Sequence, residues 1–546
     1  MLAALALILA ASPDAAYAQL ANVRGDAHEA VRALVQSMEE AQLPRSAEVL
    51  LVQLAKDGSP QVRAAARDEL SRRALKDRAT QSLLARVRVE GKLSPPVALS
   101  LAREHLERAL QLSPVDQGSA FTGLETGPAV EQAAGEVAPQ PLDKDLAAEM
   151  GAQPSPGDAK PAPAPQPVED RSAESLRELD AARSLAAEVP AGDESEASAH
   201  EVAGLAALAE NDDAAATREF VAVATAPLKK GDPAAEERRE KAYLQLARLA
   251  YAMGNDAQAT ELYGRVSRNA PEWLDALFEA SWSRFRTTED ELALGNLLTL
   301  QAPFFVNRFF PEASVLKALI LYENCRYPDA RKTLVEFEHR YSALHDGLSA
   351  TLGSMPNPNA ASEFLVRGPV ALQGVPLPAR EEVLRVEESP DIVASIQAAA
   401  QLAREIDSLD QKSFRTTSFV SVISPIDRDA RLAYLDGAGR KLIYRLESER
   451  SQLRELLGQS LRISYEIAGR EKEIAASPDG EFSAVVKNDR LPVADDEENW
   501  PFDGEYWRDE LGNYRYQLGR KCKKPRAAAQ TAKGPSQPSH LAADPH

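Results

Sequence analysis

The sequence predicts an all-α chain: an α-solenoid of stacked helical hairpins, then one long helical hairpin, with a disordered proline- and alanine-rich linker upstream. Three observations predict it. First, Lys241–Pro271 reads KAYLQLARLAYAMGNDAQATELYGRVSRNAP, two apolar-striped helices about a Gly-Asn-Asp turn. Second, the pattern returns several times. Third, Leu432, Leu435, Leu442, Leu446, Leu453, Leu457 and Leu461 keep three-, four- and seven-residue spacings in a charged background, as a long helix with a packing stripe does.

Within the first segment, Ala247 and Ala259 are small where two helices must cross closely. Gly254 can adopt the left-handed conformation that ends a helix, and Pro271 cannot continue the second one. Ala293 lies 34 residues after Ala259, with Ser281 in the small slot of the preceding helix. Another 37 residues lead to Ala330, with Ala318 in that slot and Tyr327 before Pro328-Asp329. Upstream, Gly204, Ala216 and Phe220 keep the mutual offsets of Ala247, Ala259 and Tyr263. About four units therefore fall between Ser198 and Leu348. The layout resembles the tetratricopeptide repeat (TPR), a pair of antiparallel helices about 34 residues long that stacks on its neighbours. The competing reading is a helical bundle whose alanines coincide by chance.

The remaining elements follow in order. Residues 1–18 read as a signal peptide: Leu2–Ala11 is apolar, too short to span a bilayer of about 30 Å, and Ala16-Tyr17-Ala18 is an A-x-A cleavage site. No basic residue precedes that apolar run, and a buried N-terminal helix is the alternative. Cleavage after Ala18 would deliver a periplasmic protein with no transmembrane segment. Residues 19–114 are expected to be helical, on runs such as SAEVLLVQLAKD and SPQVRAAARDELSRRAL, and match the repeat weakly. Residues 115–196 are expected to be the disordered linker, on GAQPSPGDAKPAPAPQPVED. The repeats occupy 197–348, and the glycines and prolines of 349–389 suggest an irregular connection.

A long helical hairpin is expected over 390–476, with DIVASIQAAAQLAREIDSLDQK as one arm and FRTTSFVSVISP as the connection. Its stripe serves either packing within the chain, which is the favoured reading, or self-association. Residues 477–522 gather Trp500, Phe502, Tyr506, Trp507, Tyr514 and Tyr516, an aromatic cap for the stack or else a docking motif. The tail 523–546 is of low complexity and expected to be disordered.

Chemistry is sparse. A net charge of −20 over 546 residues argues against nucleic acid as a partner. His28, His105, His200, His339, His345, His540 and His546 show no metal-ligand spacing, and no catalytic residue, metal or cofactor is expected. The Gly-Ala-Gly of Asp436–Lys441 lacks the Walker spacing and reads as a helix irregularity. Cys325 and Cys522 can pair in an oxidising compartment, closing a long loop worth about 4 kcal/mol, or Cys325 is simply a small buried residue.

The TPR resemblance implies a groove lined by the first helix of each pair. Carrying the register over puts Leu244, Arg248 and Tyr251 there, then Phe278, Trp282 and Phe285, then Val315, Leu319 and Tyr322, with Arg286 alongside. Packing between repeats is the alternative for each. RFFPEASVLKALILYENCRYPDARKTLVEFEHRY and WPFDGEYWRDELGNYRYQLGRKC, with the export signal, resemble exported TPR proteins of deltaproteobacteria, some of them linked to myxobacterial adventurous gliding motility. That resemblance implies a non-enzymatic periplasmic scaffold for a protein partner of the cell envelope. An envelope-maintenance factor coordinating peptidoglycan or outer-membrane machinery is the alternative.

Overall fold

The computed structural model describes residues 12–74, 79, 93–112, 168–228, 232–305, 308–409, 411–412, 417–476, 498 and 504–518. Among these all regular structure is helical. Helix α1 spans Pro13–Leu20, α4 spans Pro60–Ala74, and five helical hairpins among the described residues share one design. They are α2 (His28–Glu40) with α3 (Pro44–Asp57), α7 (Glu196–Ala209) with α8 (Asp213–Thr225), and α9 (Pro233–Ala252) with α10 (Asp256–Tyr263). The last two are α11 (Trp273–Arg286) with α12 (Asp290–Leu300), and α13 (Pro311–Glu323) with α14 (Tyr327–Gly353).

The shared design is a turn. Two residues past each first helix the backbone turns left-handed, at Gln42 (φ 61°), Asn211 (59°), Gly254 (76°), Thr288 (65°) and Cys325 (57°). The next amide returns to a carbonyl five residues back: Leu43 to Met38 at 2.8 Å, Asp212 to Ala207 at 2.9 Å, Asn255 to Ala250 at 2.9 Å, Glu289 to Arg284 at 2.8 Å, Arg326 to Leu321 at 2.8 Å. This is the Schellman closure, which satisfies carbonyls that a helix end otherwise orphans. Early in each second helix stands an alanine where the pair packs tightest: Ala47, Ala216, Ala259, Ala293 and Ala330, none more than 1% exposed. Gly204 is small for the same reason, since a Cβ there would sit 2.9 Å from the Phe220 ring. The N-terminal hairpin thus carries the same turn and the same alanine, although Gln42 hides it from a glycine-based reading.

The expectations for the linker and for the 349–389 connection are corrected. The predicted linker ends in a helix, α6 (Val168–Ala187), which packs on α5 (Pro95–Leu112). Leu179, Ala182 and Ala186 form a stripe that meets Leu99, Ala102, Leu106 and Ala109. Residues 115–167 of that linker lie outside the described residues, as do most of 477–522 and all of 523–546. The predicted irregular connection 349–389 is helical: α14 runs on to Gly353, followed by α15 (Pro358–Arg367), α16 (Pro369–Leu372) and α17 (Leu377–Glu387). Pro358, Pro369 and Pro378 sit in first turns, where no amide is needed, and the Asn357 side chain accepts from the Ala360 amide at 3.0 Å.

The hairpin arms are α18 (Pro390–Leu409) and α19 (Ser418–Ala476). The second begins inside the predicted connection and carries Pro425 in its interior. Burial of Phe419, Val420 and Ile423 among the N-terminal helices outweighs the cost of that proline, about 3 kcal/mol. At 59 residues this helix is about 90 Å long and forms a spine. It packs against α1, α3, α13, α14, α15, α17 and α18. The predicted irregularity at Asp436–Lys441 is continuous helix, and Gly439 is its closest crossing: a Cβ there would lie 2.2 Å from the Pro358 carbonyl oxygen. Lys441 then ties α5 to α18 through Glu107 (2.8 Å) and Asp391 (3.2 Å).

Candidate interaction site

The residues predicted to line a groove are the seams between hairpins. Leu244, Tyr251, Phe278, Trp282 and Phe285 are all under 9% exposed and belong to one apolar cluster. Arg248, from α9, grips Glu279 of α11 with Nε at 3.1 and 2.9 Å and Nη2 at 2.6 Å. The Trp282 indole donates to Glu312 of α13 at 3.0 Å, and burial pushes that carboxyl up to about 7. Arg286 lies 4.6 Å over the Tyr251 ring and pairs with Asp256 at 3.2 Å. Phe278 packs on Phe310 with ring centroids 5.8 Å apart. Val315 is buried beneath the later helices, among Phe337, Tyr341 and Leu446. Leu319 and Tyr322 are half-buried in the cluster that takes in Ile463, Ile467 and Ile474 of the spine. Nearby, Arg331 pairs with Glu471. Residues expected to receive a partner instead hold the hairpins to one another and to the spine, because helical period tells which side chains share a face and not what covers that face.

The described part of the aromatic C-terminus, 504–518, is a strap on the opposite, second-helix face. Gly512 donates to Thr299 Oγ1 at 2.9 Å, and the Tyr516 amide to the Glu291 carbonyl at 2.9 Å. Between them Tyr514 crosses so close to α12 that a Cβ on Gly295 would lie 1.7 Å from its carbonyl oxygen. Leaving a turn at Gly512–Asn513, the strap descends α12 from Thr299 to Glu291 at about 3 Å per residue, so that from Tyr514 on it runs as an extended segment antiparallel to the helix. Arg268 donates to the Asp509 carbonyl at 2.9 Å, and Arg326 to the Leu518 carbonyl at 2.5 Å. The strap therefore ends beside the turn that holds Cys325, which is disulfide-bonded. Cys522, the chain's other cysteine, lies outside the described residues.

One hairpin upstream the same face is open. A groove of about 330 Å³ lies between α8 and α10. Tyr243, Leu246 and Leu249 of α9 lie between, Val221 and Met253 are 44% and 62% exposed at its rim, and Arg265 stacks 5.6 Å over Tyr243. Nothing in the hydrophobic pattern singles these residues out, since a period marks α8 and α9 as helices without distinguishing rim from core.

The predicted cleavage site, Ala16-Tyr17-Ala18, falls inside α1, where Ala16 is buried and Tyr17 meets the Phe419 ring at 5.6 Å. Among the described residues no helix is long and apolar enough to cross a membrane, and no group of three metal-ligating side chains occurs. No protein-family model matches this sequence, and neither a curated protein nor a solved structure matches it.

Proposed function

We propose that this protein is a non-enzymatic interaction scaffold of TPR-like repeats that works in the periplasm after export. The observation that supports it is the five-fold recurrence of one hairpin, with the same left-handed turn and the same buried alanine. Repeats of this kind extend a surface one unit at a time and hold partners along it. The first-helix faces are consumed within the chain, so the partner surface is the outward, second-helix face. The partner is a protein of the cell envelope, in a gliding apparatus or in envelope upkeep.

Three measurements test this. A reporter fused after residue 22 should be exported and the leader removed after Ala18, which would take Ala16 and Tyr17 off the spine; a reporter retained in the cytoplasm with its leader intact keeps α1 as a buried helix and overturns the compartment. Crosslinking in intact envelopes followed by capture of the full-length protein should then recover a defined partner. Deletion that stops gliding assigns motility; detergent sensitivity with gliding intact assigns upkeep. Capture of nothing above an unrelated exported control would sink the scaffold reading.

A further inference from the structure

We infer that the open groove between α8 and α10 receives an extended segment of the partner protein, carrying bulky apolar side chains at alternate residues. The inference rests on the scaffold reading and names the site and the partner's chemistry.

The molecule already shows how an extended chain sits on this face. Along α12 the strap touches Glu291, Gly295 and Thr299, one helical turn apart, and Arg268 at the end of the preceding hairpin. Four helical residues rise about 6 Å and two extended residues about 6.8 Å, so alternate residues of an extended chain keep step with successive turns. Counted from the left-handed turn of each hairpin, Glu261 and Arg265 stand where Gly295 and Thr299 stand, and Thr225 stands where Arg268 stands. All three line the open groove. It is thus the strap's seat displaced by one hairpin, on a surface continuous with it.

The two seats differ in a way that selects the guest. Gly295 admits strap backbone against the helix axis, whereas Glu261 fills that position and is held by Arg265 at 2.7 Å. A guest backbone is kept off α10 and lies in the trough toward Val221, with its side chains reaching Leu246 and Tyr243. A volume of about 330 Å³ is at the small end of ligand sites, enough for one or two large apolar side chains and too small for a helix. Extended chain also has unpaired amides and carbonyls, which Thr217, Gln258 and the Glu261–Arg265 pair can satisfy at the rim.

The test is a random dodecapeptide display library selected on the full-length protein, with enriched sequences then titrated as synthetic peptides. The titration compares wild type with Val221→Asp/Met253→Asp. Both positions are exposed, so the variant should fold, which circular dichroism checks; Val221→Ser/Met253→Ser serves if it does not. The inference expects enriched peptides with apolar residues at alternate positions and at least tenfold weaker binding to the variant. Enriched peptides that bind both proteins equally, or no enrichment at all, overturn it. An envelope partner captured equally by wild type and variant would keep the scaffold and move its site; no envelope partner would remove the scaffold reading itself.

Discussion

Glu279 and Asp427 are buried carboxylates at two joints of this molecule, and the joints are built on opposite principles. Glu279 lies in the seam between α9 and α11, where burial pushes its pKa up and the two-pronged Arg248 guanidinium pulls against that. Asp427 lies where the N-terminal hairpin meets the spine. It accepts one bond from the Ser46 hydroxyl at 2.7 Å, and its Oδ1 has no hydrogen-bond partner. Its neighbour is a second carboxylate, Glu405, which caps α3 by accepting from the Arg45 and Ser46 amides at 3.1 and 2.7 Å. Burial, reinforced by Glu405, pushes Asp427 up to about 7. The seam matches charge with charge. The joint depends on a carboxyl holding its proton.

Breaking the seam should give the largest effect. Arg248→Ala strands the Glu279 carboxylate in an interior that excludes water. Losing one partner of a buried pair costs about 3–5 kcal/mol. Urea unfolding would show it, and Arg248→Ala/Glu279→Gln should recover part of the loss. A single-variant cost under about 1 kcal/mol would mean that the seam is wet and that the apolar cluster alone holds the hairpins together.

Asp427→Asn sharpens the contrast. In the unfolded chain an aspartate titrates near 3.8; folded, Asp427 titrates near 7. Between those values the folded state holds a proton that the unfolded state has released. The stability this group contributes is therefore complete below about pH 4 and lost as pH rises through 7, with a slope of at most about 1.4 kcal/mol per pH unit. Stability of Asp427→Asn, measured from pH 5 to 8, should lack that decline and exceed wild type at the alkaline end. Parallel curves for the two proteins would show that Asp427 is ionised in the folded state throughout.

The same contrast governs what the sequence made legible. Alanine at 216, 259, 293 and 330 announces a close helix crossing, because nothing larger fits and the spacing repeats. Seam charges are less visible: Arg248 and Glu279 read as ordinary polar residues until two helices bring them together. The joint was invisible, since Ser46, Glu405 and Asp427 come from opposite ends of the chain. The prolines at 358, 369 and 378 look like breakers but begin helices, and only tertiary context separates the two uses. Trp282 and Phe285 look like groove residues because the TPR register puts them on the first helix of a pair. That α13 covers this face follows from topology, not from period.

The smallest effect tests the turn that all five hairpins share. Thr288 holds φ at 65° and is β-branched, in a conformation that costs an L-residue about 1–2 kcal/mol. Glycine would remove that cost but gives the unfolded chain more freedom, worth about 0.5–1 kcal/mol. Thr288→Gly should therefore stabilise by up to about 1 kcal/mol, while Gly254→Ala at φ 76° destabilises by about 1 kcal/mol. The Thr288 amide still donates to the Phe285 carbonyl at 3.2 Å in either variant, so the difference reports backbone conformation and not a lost bond. Denaturation midpoints moving in opposite directions would establish one turn with interchangeable residues. If Thr288→Gly also destabilises, side-chain packing at that turn outweighs the left-handed strain, and the five turns share a shape without sharing what holds it.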